Sequence, residues 1–198
     1  MQEVSYALGA SMGEGLLQNS SKAGITLDLE SLLKGVGDGF SSSNKFDEAK
    51  MQQSFAKLDS IVMEQQKLAA AKDKEFLEQN KNTFGIITTP SGLQYKVITM
   101  GDGPTPAATD KVKVHYHGTT IDGTVFDSSV DRGEPITFAL NQVIKGWTEG
   151  VQLMPVGSKF IFCIPSELAY GEQGAGNGVI KPGATLIFEI ELLGIEQP

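Results

Sequence analysis

Val143-Ile-Lys-Gly-Trp-Thr-Glu-Gly-Val151 is the stretch around which the C-terminal half of the chain is organised. It contains Trp147, the only tryptophan among 198 residues, within a short helical pattern. Segments with strand-like patterns precede and follow it. A tryptophan in this position can fill a core from the inner face of a helix, or it can form the floor of a binding pocket. The stretch alone leaves both interpretations open.

Five segments around this helix alternate apolar and polar residues, which is the period expected of strands with one buried face. Their apolar positions are Leu93, Tyr95 and Val97; Val112, Val114 and Tyr116; Ile136, Phe138 and Leu140; Phe160, Phe162 and Ile164; and Leu186, Phe188, Ile190 and Leu192. We predict an α+β domain in which an antiparallel sheet wraps over the short helix of Trp147.

The N-terminal half has helical periodicity instead. Residues 2–19 carry one apolar stripe, and a second helix is predicted from its cap at Asp28. Two helices of this length cannot bury enough apolar surface to be stable alone, and a second copy is the simplest partner. We therefore predict an all-α dimerisation domain over residues 1–45, and hence a homodimer. Gly9 and Gly13 either allow close approach of another helix or merely weaken this one.

A long connecting helix is predicted over residues 46–82. Neither glycine nor proline interrupts the chain from Asp47, a candidate N-cap, to about Asn80. A heptad repeat is strong at its start and fades toward its end, which is typical of a helical arm rather than a full-length coiled coil; its members are Phe55, Val62, Ala69 and Phe76. A turn rich in Thr, Pro and Gly then begins the third predicted domain, residues 83–198.

Composition excludes several classes of function. The net charge of −8 and the pI of about 4.8 argue against nucleic acid as a partner. Cys163 is the only cysteine, so neither an intrachain disulfide nor a cysteine metal cage can form, and its apolar surroundings favour a buried thiol. No apolar run approaches the length of a membrane span. The N-terminus lacks a signal-peptide pattern, so we predict a cytoplasmic protein, with a periplasmic location as the alternative if a signal has been removed.

Two motifs share one feature with known ligand sites, and each lacks another feature that such a site needs. His115 and His117 lie two apart on a predicted strand and could bind a metal, but no third ligand is near, which favours a solvated strand face. The glycine-rich residues 171–178 have the composition of a phosphate loop but lack its strand–turn–helix context. We predict neither metal nor cofactor. Tyr170, at the mouth of this loop, is poorly placed for a core, and its hydroxyl could donate to a ligand carbonyl.

Six motifs follow one another across about residues 91–195: Val112-Lys-Val-His-Tyr-His-Gly118, Asp122-Gly-Thr-Val-Phe-Asp-Ser-Ser129, Val143-Ile-Lys-Gly-Trp147, Met154-Pro-Val-Gly-Ser158, Leu168-Ala-Tyr-Gly171 and Ala184-Thr-Leu-Ile-Phe-Glu-Ile-Glu-Leu-Leu193. In them the chain resembles the FK506-binding-protein (FKBP) type of peptidyl-prolyl cis–trans isomerase. Val4-Ser-Tyr-Ala-Leu-Gly9 and Ser91-Gly-Leu-Gln-Tyr-Lys-Val97 resemble the Mip-like and FKBP22-like bacterial subfamily, whose members form V-shaped homodimers with isomerase domains on helical arms.

The resemblance implies an enzyme that accelerates rotation about Xaa-Pro bonds in folding protein chains, using an apolar pocket and neither covalent nor acid–base catalysis. Trp147 would be the floor that receives the proline ring. The walls would be Tyr116, Phe126, Phe138, Val143, Ile144 and Phe188. At the rim, Tyr170 and the Ile144 backbone N–H would donate to a ligand carbonyl.

The remaining implied site residues surround that pocket. Asp127 would lie at the rim, held by Tyr116 and Arg132. Val179 and Ile180 would cover the entrance. Ile136, also placed among the substrate-binding residues, stands where some relatives have an aromatic side chain, and the segment 172–181 is longer than in minimal single-domain members.

The expected partners are a second copy of the chain, proline-containing unfolded or partly folded proteins, and the macrolides FK506 and rapamycin. An alternative function is a dimeric chaperone or binding module that holds unfolded clients between the arms. The fading heptad pattern motivates it, since it leaves Leu68, Phe76 and Leu77 partly uncovered.

Overall fold

A computed structural model describes residues 1–196 of the chain. The chain forms two compact units, Met1–Lys67 and Leu68–Pro198. The division into residues 1–45, 46–82 and 83–198 stays a prediction, and the last two residues of its third segment lie outside the described part.

Helices make up the first unit. They are α1 (Gln2–Lys22), α2 (Leu29–Phe40) and the first part of α3 (Glu48–Asn80), which continues into the second unit. The Asp28 carboxylate accepts the Ser31 N–H at 2.8 Å, and Asp47 accepts the Lys50 N–H at 2.7 Å. Both predicted helix starts are therefore confirmed, because each side chain satisfies an N–H that the first turn leaves unbonded.

The apolar stripes of α1 and α2 are exposed within a single chain. Exposed side chains include Val4, Leu8, Met12, Leu29, Leu33, Val36 and Phe40. Nothing lies within 4 Å of where a Cβ would be at Gly9 or Gly13. Within residues 1–196, no helix combines the length and the apolar character needed to cross a membrane.

A seven-stranded antiparallel sheet forms the framework of the second unit. Its strands lie in the order β1-β2-β6-β7-β3-β4, and β5 also pairs with β3. The strands are β1 (Ile86–Thr88), β2 (Gln94–Thr99), β3 (Lys111–Thr120), β4 (Val125–Ser128), β5 (Ile136–Ala139), β6 (Lys159–Ile164) and β7 (Leu186–Glu196). The second unit also contains the helices α4 (Ser129–Arg132) and α5 (Lys145–Val151). The predicted α+β class, with N-terminal helices and a C-terminal antiparallel sheet, is confirmed.

The alternating segments supply the core of this unit. The predicted alternating positions of β7 (Leu186, Phe188, Ile190 and Leu192) and of β6 (Phe160, Phe162 and Ile164) are buried, as are Val112 and Val114 of β3. The strands β1 and β4 were not predicted from the sequence. Neither alternates apolar and polar residues, since β1 reads Ile86-Ile-Thr88 and β4 reads Val125-Phe-Asp-Ser128.

Helix α5 lies directly against β6 because two of its residues have no side chain. A Cβ atom at Gly146 would lie 2.4 Å from Ile164 Cγ2, and one at Gly150 would lie 2.6 Å from Phe162 Cε1. The helix backbone therefore occupies space that larger residues would need. Trp147, between the two glycines, is buried in the core, which confirms the first interpretation of its position.

Cys163 is buried on β6, as predicted. Burial raises the pKa of its thiol to about 11, against the opposing effect of a hydrogen bond that Asn80 Nδ2 donates to Sγ at 3.4 Å. A protonated, buried thiol is a poor nucleophile, so Cys163 acts as a small apolar side chain.

Gly150→Ala should lower the free energy of unfolding by about 1–3 kcal/mol, because the added methyl overlaps the Phe162 ring. Urea unfolding with an unchanged slope measures this change. The loss should shrink when Phe162 is also replaced by leucine. A gain of about 1 kcal/mol, the ordinary benefit of alanine over glycine in a helix, would show that the close contact is absent.

Candidate active site

A cavity of about 700 Å³ opens beside α5 and the sheet. Eleven of the thirteen predicted site residues line it: Tyr116, Phe126, Asp127, Phe138, Val143, Ile144, Trp147, Tyr170, Val179, Ile180 and Phe188. Four further lining residues were not predicted: Gln142, Ala169, Ala175 and Gly176. Three of these four are glycine or alanine, and no sequence signal distinguishes such a wall residue from a loop residue.

Aromatic rings pack edge-on around the indole of Trp147. The ring centroids of Tyr116 and Phe188 lie 5.2 Å from it, and that of Phe138 lies 5.5 Å away, with interplanar angles of 83–84°. This geometry is the favoured one for aromatic pairs. Among the described residues, the indole Nε1 is the one buried side-chain N or O atom without a hydrogen-bond partner. The floor of the cavity is therefore an aromatic ring that three other rings contact edge-on.

Polar groups are joined in a network at the rim. The Asp127 carboxylate accepts hydrogen bonds from the Tyr116 hydroxyl and from Arg132 Nη1, and Arg132 Nη2 donates to the Tyr116 hydroxyl oxygen at 3.0 Å. The Arg132 guanidinium lies 5.8 Å from the centroid of the Tyr116 ring. Arg132 does not itself line the cavity; it acts on the rim through the other two side chains.

Titration properties follow from this network. Burial raises the pKa of Asp127, but hydrogen bonds from Tyr116 and Arg132 together outweigh it and hold the pKa below its usual value of 3.8. Burial, followed by the hydrogen bond to Asp127, raises the pKa of the Tyr116 hydroxyl above 10.0. Around neutral pH the pair is therefore a carboxylate and a neutral phenol.

The sequence Asp127-Ser-Ser129 positions the residues of the rim network. Ser128 ends β4 and caps α4, its hydroxyl accepting the Asp131 N–H at 3.1 Å. The buried Ser129 hydroxyl accepts the Tyr116 N–H at 2.8 Å and so joins α4 to β3. These two contacts place Arg132 one helical turn beyond Asp127 and beside Tyr116. The two serine hydroxyls are therefore engaged in structural hydrogen bonds.

The cavity is covered on one side by residues 169–183, here called the covering loop. The Gly183 N–H donates to the Gly171 carbonyl at 2.9 Å, which closes the base of the loop. Ala175 and Ile180 exchange two backbone hydrogen bonds of 2.9 and 3.1 Å within it. Ile180 is buried against the core, whereas Tyr170 is 42% exposed at the mouth. The glycine-rich run 171–178 lies between the strands β6 and β7, which is not the strand–turn–helix context of a phosphate loop.

Other candidate residues lie away from the cavity. Ile136 packs against the core and does not line the cavity. His115 Nδ1 lies 3.1 Å from Ser129 Oγ, and His117 Nδ1 lies 3.0 Å from Ser128 Oγ. Across residues 1–196, no group of three or more His, Cys, Asp or Glu side chains is arranged to hold a metal ion.

Comparison with known families matches both halves of the chain. The model described as "FKBP-type peptidyl-prolyl cis-trans isomerase" matches residues 103–193. The model described as "domain amino terminal to FKBP-type peptidyl-prolyl isomerase" matches residues 1–97.

Similar proteins cover nearly the whole chain. The FKBP-type peptidyl-prolyl cis-trans isomerase FkpA of Aeromonas hydrophila is 51% identical over 100% of this chain and 77% of its own length. The FKBP-type 22 kDa peptidyl-prolyl cis-trans isomerase of Escherichia coli is 42% identical over 98% of this chain and 94% of its own. The outer membrane protein MIP of Legionella longbeachae is 41% identical over 98% of this chain and 85% of its own length.

The crystal structure of FkpA from Escherichia coli has a similar fold, with a TM-score of 0.71 and 39% identity over 98% of this chain and 96% of that one. These matches favour an isomerase over the alternative of a chaperone or binding module. By sequence and by fold, the chain belongs to the FKBP-type peptidyl-prolyl cis–trans isomerases.

Proposed function

We propose that this isomerase rotates Xaa-Pro bonds in the cavity above Trp147. The observation that carries the proposal is the separation of an aromatic floor from polar groups confined to the rim. A proline ring is apolar and compact, and it matches a floor of edge-on rings. The flanking peptide groups are polar and would lie at the rim, where Asp127 and Tyr170 line the mouth.

The catalytic effect is removal of water from a bond that water stabilises in its planar form. Amide resonance sets a rotation barrier of roughly 18–20 kcal/mol and places negative charge on the carbonyl oxygen. A twisted amide has lost that resonance and the charge on its oxygen. It therefore loses less hydration free energy than the planar form when it leaves water. A pocket shaped for the twisted form therefore lowers the barrier by binding the transition state more tightly than the substrate. Trp147, Tyr116, Phe126, Phe138 and Phe188 would supply that shape.

Rim groups orient the substrate in this proposal. Tyr170 would donate its exposed hydroxyl to a carbonyl of the bound chain, and Ile144 would donate its backbone N–H. Asp127 is held by Tyr116 and Arg132, so its carboxylate is fixed before the substrate arrives. Val179 and Ile180 would close the cavity from above. None of these groups gives or takes a proton during rotation.

The pH dependence of kcat/KM should be flat from about pH 5 to pH 9, because Asp127 stays ionised above its lowered pKa and Tyr116 stays protonated below its raised one. Exchange of an Ala-Leu-Pro-Phe peptide across that range measures it. A bell-shaped profile within the range would show that a titrating group takes part in the chemistry.

Tyr170→Phe should lower kcat/KM about two- to tenfold, the effect of one net hydrogen bond, with little change in the free energy of unfolding. Tyr95→Phe is the matched control: it removes a hydroxyl in the same unit, from a ring that stacks on Phe160 outside the cavity. Its kinetics should equal those of the unmodified chain. Equal losses in both variants would contradict a role for the Tyr170 hydroxyl in binding.

The substrates are proposed to be proline-containing segments of unfolded or partly folded proteins. The macrolides FK506 and rapamycin are proposed to occupy the same cavity and to compete with such segments. The volume of about 700 Å³ lies in the range of sites that bind ligands of that kind.

A homodimer formed through the first unit is proposed as the working assembly. The exposed apolar stripes of α1 and α2 support it, since a surface of this kind is normally covered by a partner. The open space beside Gly9 and Gly13 would admit the backbone of a helix from a second copy.

The full chain should sediment with twice the 21.2 kDa of one copy. Leu33→Glu should shift it to the monomer, because it places a charge in the proposed apolar interface. Lys34→Gln, on the same helix and with the same change in net charge, should leave the dimer intact. A monomeric unmodified chain, or a dimer that survives Leu33→Glu, would count against this interface.

A location outside the cytoplasm, in the periplasm, is also proposed. Its support is the 41% identity to the relative named as an outer membrane protein. Fractionation of cells that express the natural gene tests it: recovery with periplasmic markers is expected, and recovery with cytoplasmic markers would overturn it.

A further inference from the structure

The C-terminal part of α3 packs against the base of the covering loop. The Asp73 carboxylate oxygen Oδ1 accepts the backbone N–H of Thr185 at 2.5 Å. Asp73 and Thr185 are both buried, at 7% and 1% exposure. One turn earlier on the helix, Ala70 touches Gly183: a Cβ built at Gly183 would lie 2.9 Å from the Ala70 Cβ. Two residues of one helical turn thus hold the chain at two points where it leaves the loop.

We call these two contacts, Asp73 with Thr185 and Ala70 with Gly183, the tether; along the chain it lies between two residues of the cavity wall. Ile180 precedes Thr185 by five residues, and Phe188 follows it by three; both line the cavity. Gly183, the second tethered residue, donates to the carbonyl of Gly171, which directly follows Tyr170. Displacement at the tether would therefore shift both a wall of the cavity and the base on which Tyr170 sits.

We propose that Asp73 is a positioning residue of the isomerase, which acts by fixing the covering loop over the substrate. The inference rests on the proposed function of the cavity. Asp73 does not line the cavity, and it acts through Thr185 and Gly183. Helix α3 is then part of the machinery that holds the substrate, in addition to connecting the two units.

A second tie of the same helix provides a matched control. Asn80 Nδ2 donates to Gln94 Oε1 at 2.8 Å, and Gln94 Nε2 donates to the Leu77 carbonyl at 2.8 Å. These bonds join α3 to β2, away from the covering loop. Loss of either set of hydrogen bonds should weaken the packing of α3 on the unit. Only loss of the Asp73 hydrogen bond should change the position of the cavity wall.

The test uses the full chain with Asp73→Ala, Asp73→Asn and Asn80→Ala. Asp73→Ala should raise KM for a proline peptide about three- to tenfold with a smaller change in kcat, because a displaced wall weakens binding. Asp73→Asn keeps an oxygen acceptor for the Thr185 N–H and should restore KM to near its original value. Asn80→Ala should lower the melting temperature without changing KM.

Hydrogen exchange gives a readout independent of catalysis. The amides of Ala175, Ile180 and Gly183, which are bonded within the loop, should exchange faster in Asp73→Ala and remain unchanged in Asn80→Ala. If Asp73→Ala does not fold, Ala70→Val replaces it: the added volume presses on Gly183 and should produce the same rise in KM.

The outcomes separate this inference from the function on which it rests. Equal kinetic effects of Asp73→Ala and Asn80→Ala, or an unchanged KM in Asp73→Ala and Ala70→Val, would overturn the positioning role alone. Failure of the unmodified chain to accelerate exchange, or retention of full activity when Trp147 is replaced by alanine in a folded protein, would instead refute the proposed site.

Discussion

Direct contact between the backbone of α5 and the side chains of β6 is the constraint on which the second unit depends. Gly146 and Gly150 permit it, since any side chain there would overlap Ile164 or Phe162. The contact sets the depth of Trp147 below the cavity, and that depth decides how the surrounding rings meet the indole edge-on. Core and cavity are thus two faces of one packing arrangement: Trp147 is buried in the core and also lines the cavity, and its role as the floor of a binding pocket stays a proposal.

Alternation predicted the strands well where every second residue is apolar and faces the core. Even the four-residue β5 was recognisable in this way, whereas β1 (Ile86-Ile-Thr88) and β4 (Val125-Phe-Asp-Ser128) do not alternate. Helix starts were recognisable at Asp28 and Asp47, since capping depends on one local side chain. The exposed stripes of α1 and α2 have no cover within one chain, and the homodimer that would cover them stays a proposal.

The candidate site was recognisable in its aromatic part and less so in the rest. Aromatic residues can be recognised as candidate site residues from their type alone. Ala169, Ala175 and Gly176 have no such distinguishing type, and they line the cavity only because of the path of the loop. That path depends on glycines in the left-handed region, such as Gly174 at a φ of 63°. Asp127 and Arg132 could be paired from their spacing along the chain. Their contacts with Tyr116 were implied only by the family resemblance, because they depend on the register of β3 against β4, which is a long-range property.

The confinement of charge to the rim of the cavity has a consequence for the clients. In the proposed mechanism, no proton, electron or bound group passes between the cavity and the substrate, and the same twisted bond is reached from the cis and from the trans side. Both directions are therefore accelerated by the same factor, and the final isomer ratio remains a property of the client. Such an enzyme shortens the wait at each proline and leaves the choice of native structure to the folding chain itself.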